Sequence, residues 1–96
     1  MAKIYQETQS SVEEKVYPLK YNLLTGVTLS DVSFTHTKPD GTTADDITLD
    51  GAITSPYANV AVPADLDVGI HYISCVAETD DTKLSPEILL IITVNR

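Results

Sequence analysis

Ninety-six residues at 10.4 kDa suit one compact domain, and 43% hydrophobic with 21% charged residues is a globular composition that excludes global disorder. Fourteen acids against six bases leave a net charge of −8, the wrong sign for neutralising nucleic-acid phosphates or an anionic membrane surface. The lone cysteine, Cys75, cannot form an internal disulfide, no apolar run approaches the roughly 20 residues that cross a bilayer, and the opening residues 1–7 offer no signal-peptide stretch, so synthesis in the cytoplasm is expected.

Val, Ile and Thr fill 29 of the 96 positions, the β-branched bias of strands, and the hydrophobic pattern has period two. Residues 1–12 are mostly polar and read as an N-terminal arm or loose first strand, ahead of a domain over 13–96. Within 13–21, Lys15, Tyr17, Leu19 and Tyr21 alternate with Val16, Pro18 and Lys20. Pro18 lacks a ladder donor, which puts this strand at a sheet edge. Leu23, Leu24, Val27 and Leu29 flank Gly26 in a short connection that plugs one end of the core.

Residues 32–37 form the clearest strand. Val32, Phe34 and His36 share one face, with Ser33, Thr35 and Thr37 on the other, and Phe34 is expected in the core. Lys38-Pro39-Asp40-Gly41 then turns the chain. A short strand over 46–49 ends at Asp50-Gly51. Another over 59–62 points Val60 and Val62 inward. Residues 64–67 suggest a single helical turn. Gly69 opens a long strand that runs to Thr79 and ends in an Asp80-Asp81 turn, and 88–94 is the last strand. About seven strands, with turn signals roughly every 8–12 residues, predict an all-β antiparallel sandwich of immunoglobulin-like layout. A small OB-type barrel is the structural alternative.

Three stretches carry a family resemblance: Tyr17-x-Leu19-x-Tyr21-x-x-Leu24, Leu29-Ser30-x-x-Ser33-Phe34-Thr35, and Gly69-x-x-Tyr72-x-x-Cys75-Val76-x-x-Thr79. Together they resemble small immunoglobulin-like proteins encoded among the virion genes of tailed phages and prophages. In that family the second stretch usually carries an aromatic, here Phe34. The third follows a Gly turn and leads to a final hydrophobic strand. The resemblance implies a non-enzymatic structural or interaction protein of the tail, fibre or head, a place in the virion, and protein partners, either copies of itself or other virion subunits.

The chemistry-bearing residues point the same way. Cys75 and His71 are four apart on one strand, about 13 Å along it, too far for a hydrogen-bonded dyad. Cys75 reads as a buried inert thiol. One Cys and two His fall short of a zinc set, and both histidines read as partly buried and hydrogen-bonded. Between Asp40 and Asp81 lie nine acids and no Lys or Arg. Turn carboxylates suit Ca²⁺, which makes Asp65 and Asp67 weak metal candidates against a solvated acidic surface. No cofactor is implied. Tyr17, Tyr21 and Tyr72 read as core aromatics with a polar handle, whereas Tyr57 is the exposed aromatic best suited to a partner or a carbohydrate. In the last strand Ile88, Leu90, Ile92 and Val94 fill one face. That leaves Leu89 and Ile91 outward as an apolar patch, covered either by the arm with Ile4 and Tyr5 or by another subunit. An immunoglobulin-like module binding carbohydrate or protein, with Ca²⁺ in its Asp-rich loops, is the alternative function.

Overall fold

The computed structural model describes residues 3–80 and 86–96. Two sheets form. The larger joins β1 (Lys3–Ser10), β8 (Glu87–Asn95), β7 (Gly69–Thr79), β3 (Leu29–Thr37) and β4 (Thr43–Ala44) in that order. The smaller joins β2 (Lys15–Lys20), β6 (Tyr57–Val62) and β5 (Thr48–Leu49). Among the described residues no helix is present.

Each sheet turns one face inward, and the core lies between them. Tyr17 and Leu19 of β2 and Val60 and Val62 of β6 meet Ile73 and Cys75 of β7 and Ile88, Leu90, Ile92 and Val94 of β8, all buried. Alternation along the strands is what makes this possible, since residues i and i+2 share a face. β2 is an edge strand, as Pro18 requires. Where alternating side chains carry hydroxyls into the core, these find partners: Tyr17 donates to Gln9 Oε1 at 2.6 Å and Tyr21 to the carbonyl of Cys75 at 2.8 Å.

The β3–β4 hairpin closes through the predicted turn. Lys38 N donates to Thr42 O, Gly41 N donates to Lys38 O, and Gly41 takes φ +89°. Asp40 accepts from both the backbone N and the hydroxyl of Thr42. Those bonds to the ionised carboxylate hold Asp40 below its ordinary range. Gly69, at the start of β7, packs against this turn. Its φ is +136°, and a Cβ there would lie 2.9 Å from two ring carbons of Pro39. Gly69→Ala therefore meets both strain and a clash, and is expected to cost about 1–3 kcal/mol. A melting curve checks it: a fall of about 4 °C or more supports the contact, and an unchanged midpoint means Pro39 gives way freely.

Several expectations need correction. Residues 3–10 take the strand form expected of the N-terminal segment, and they are not a cover. Lys3–Ser10 is a full strand, paired in parallel with β8 from Lys3↔Ile88 to Ser10↔Asn95, so it extends the sheet beside Leu89 and Ile91 and does not lie over them. Tyr5 packs against the core while Ile4 is exposed on the outer face. Residues 64–67 form no helical turn, because Asp65 sits at φ +63°. Phe34 is only partly buried at the margin of the core. Tyr72 is 44% exposed, not a core residue. His71, Ile73, Cys75 and Ala77 take the inward positions of β7, and parity sends Tyr72 outward. Asp81, half of the predicted Asp80-Asp81 turn, lies outside the described residues. Asp80 itself bonds reciprocally with Thr28, accepting from its N and donating to its O.

Candidate interaction face and a buried histidine pair

The outer face of the larger sheet follows from register. Gln6 of β1 lies opposite Ile91 of β8, and Ile91 opposite Tyr72 of β7; Thr8, Thr93 and Ile70 form the next row, and Ile4, Leu89 and Ser74 the one before. Side chains in register share a face, so Ile4, Leu89, Ile91, Tyr72 and Ile70 make one apolar tract across three strands. Ile4 is 57%, Ile70 46% and Tyr72 44% exposed. An open groove of about 580 Å³ runs along this tract between the Gln6 row and the Thr93 row. Glu7 also lines the groove, and at the far end of the tract Glu87 accepts from the Ser74 hydroxyl at 2.9 Å. Leu89 and Ile91 thus face outward as the alternation predicts, half-buried by neighbouring side chains.

Behind that face the core holds a polar chain that sequence reading did not assemble. His36 of β3 and His71 of β7 are each at most 1% exposed. They occupy diagonal inward positions on paired strands, since His36 lies opposite Ile73, and their rings are 5.0 Å apart. His36 Nδ1 meets Asp46 Oδ1 at 2.7 Å, His36 Nε2 meets His71 Nδ1 at 2.8 Å, and His71 Nε2 donates to the carbonyl of Asp67 at 2.7 Å. Asp46 stands in the connection between β4 and β5, with its side chain 37% exposed. Asp67 stands in the connection between β6 and β7. The legible signal was parity: each histidine falls on the inward phase of its strand. What the sequence withheld was the register that makes them neighbours.

The other candidates are scattered. Tyr57 opens β6, 45% exposed, with Lys20 Nζ 5.9 Å from its ring centre. Asp65 and Asp67 are exposed loop residues, and it is the backbone oxygen of Asp67, not its carboxylate, that the histidine chain uses. Among the described residues, no group of three or more His, Cys, Asp or Glu side chains is placed to hold a metal ion. Cys75 is fully buried, its Sγ 3.7 Å from the carbonyl of Ile73, and burial pushes its thiol up to about 12. It therefore stays a protonated thiol where a nucleophile would need a thiolate.

No family model matches this chain, and no curated protein matches it. Among solved structures, it is similar to part of the crystal structure of amylomaltase from Corynebacterium glutamicum, with a TM-score of 0.57 at 23% identity. The match covers 93% of this chain but 12% of that one, so this chain spans about an eighth of the enzyme's length. At this identity the likeness is one of fold: an all-β domain of two packed sheets.

Proposed function

We propose that this chain is a non-enzymatic interaction subunit: an immunoglobulin-like sandwich that packs on other proteins through the outer face of its larger sheet, as a small component of a phage or prophage particle. The observation that carries the interaction role is the apolar tract of Ile4, Leu89, Ile91, Tyr72 and Ile70, since contiguous exposed apolar surface on a small domain marks a contact site. Strand order supports the immunoglobulin-like reading. β2, β6 and β5 occupy the places of strands B, E and D, and β3, β7 and β8 those of C, F and G, with β4 beyond C and β1 beyond G. The particle context rests on the sequence resemblance, and flanking genes for portal, tail or terminase proteins would support it. Tyr72 exposed among the hydroxyls of Thr8 and Thr93 favours a carbohydrate ligand as the second reading.

The double change Leu89→Lys with Ile91→Lys tests the face. The domain is expected to keep its fold, because both side chains point away from the core, and to lose association when sedimented at high concentration alone or with neighbouring gene products. An unfolded variant would place the two residues in the core. Association equal to wild type would move the interface elsewhere. A shift of the Tyr72 ring signals on glycan titration, without protein association, would favour the second reading.

A further inference from the structure

We propose that Asp46, His36 and His71 form a proton-dependent clamp that ties the β4–β5 connection to the β6–β7 connection through the core. The argument is a count of hydrogens. Each of the three short contacts needs one proton between its two heavy atoms. The carbonyl of Asp67 can only accept, so His71 Nε2 carries the first. The second lies between the two rings, and the third between His36 Nδ1 and Asp46. Two neutral imidazoles carry only two protons. The intact chain therefore holds one more, which offsets the charge of the Asp46 carboxylate.

Removing that proton turns two lone pairs toward each other at 2.7 or 2.8 Å, and one contact must open. Asp46 is the partner with access to water, so its contact opens and the β4–β5 connection is released. A fourth proton placed on a ring sets two N–H groups against each other between the rings and opens the centre instead. The clamp is closed when each of its three contacts holds one.

Other ionisable groups around the pair are few. β8 and β6 turn only aliphatic side chains inward, β7 adds Cys75, β2 adds Tyr17, and Tyr21 follows β2 into the core. Asp45, Asp65 and Asp67 lie exposed on the two connections, and Lys38 follows β3.

Asp46→Asn provides the test, because an amide N–H can supply the third proton to His36 Nδ1 while both rings stay neutral. Above about pH 7.5 the wild-type folded state holds close to one proton more than an unfolded chain whose histidines titrate near 6.5. Its folding constant is therefore expected to fall by a factor approaching tenfold per pH unit between about pH 7.5 and 8.5. In Asp46→Asn that slope is expected to vanish, while Asp46→Ala loses the clamp altogether. Urea titrations at several pH values read the slopes. Imidazole ¹⁵N spectra of the wild type at pH 8 read the proton count directly and stand even if a variant fails to fold. Equal slopes in wild type and Asp46→Asn, or spectra of two neutral rings, overturn the clamp.

Discussion

Tyr21→Ala is expected to remove about 3–5 kcal/mol, a large share of the roughly 5–15 kcal/mol that holds a domain of this size. Tyr21 follows β2 and is 2% exposed. It crosses from the smaller sheet to the larger one, where its hydroxyl reaches the carbonyl of Cys75 at 2.8 Å. Its own backbone N donates to Pro56 O at 2.9 Å. Truncation leaves a cavity at the junction of the sheets and deletes the bond between them. Tyr21→Phe separates the two effects: it keeps the volume and should lose only about 1 kcal/mol. Phe34→Ala, at the partly exposed margin, should cost less than Tyr21→Ala. Urea midpoints rank the three, and a Tyr21→Ala midpoint equal to wild type would remove this residue from the core.

The second large effect is alkaline unfolding. Burial favours the neutral, protonated forms of Cys75, Tyr17 and Tyr21. It pushes Cys75 from 9.0 and Tyr17 from 10.0 up to about 12, and Tyr21 higher still. Groups raised on folding contribute stability that is complete below their unfolded values and is lost as pH rises through the folded ones. On top of the decline expected of the histidine clamp, the contribution of these three groups should hold to about pH 9 and be lost from there toward pH 12. Cys75, fully buried, accounts for about 4 kcal/mol of that loss. Circular dichroism across pH 8–12 reads it. Cys75→Ala leaves the tyrosines as the first groups to act and should move the onset from near 9.0 toward 10.0. A domain still fully folded at pH 12 would mean that these side chains reach water in the folded state.

Local pattern carried much of the architecture. Alternation placed Tyr17, Leu19, Val60, Val62 and the even-numbered residues of β8 inward, and Pro18 marked an edge. Parity was also enough to put Tyr72 outside, because it cannot share a face with Cys75 three residues on. Aromatic character misled there, since an expectation that rings belong in cores overrode the period. The weak points of the sequence were pairing and cover. Nothing local says that residues 3–10 join the last strand in parallel, because that pairing spans the whole chain. Nothing local says that β4 and β5 shrink to two residues each. The histidine chain needed both kinds of information: the β3–β7 register brings the rings together, and two connections supply Asp46 and Asp67. The outer face was legible in Leu89 and Ile91, but Ile70 and Tyr72 entered it only once β7 was set beside β8.

The parallel pairing of β1 with β8 has a mechanical meaning. Lys3 lies beside Ile88 and Ser10 beside Asn95, so Lys3 and Asn95 stand at opposite poles, about 23 Å apart along the strands. A pull applied between those poles runs along the strands and perpendicular to their hydrogen bonds. It loads the whole β1–β8 ladder in shear at once, whereas an antiparallel terminal pair would open one rung at a time like a zipper. Force applied between those poles therefore meets the resistance of all the rungs together.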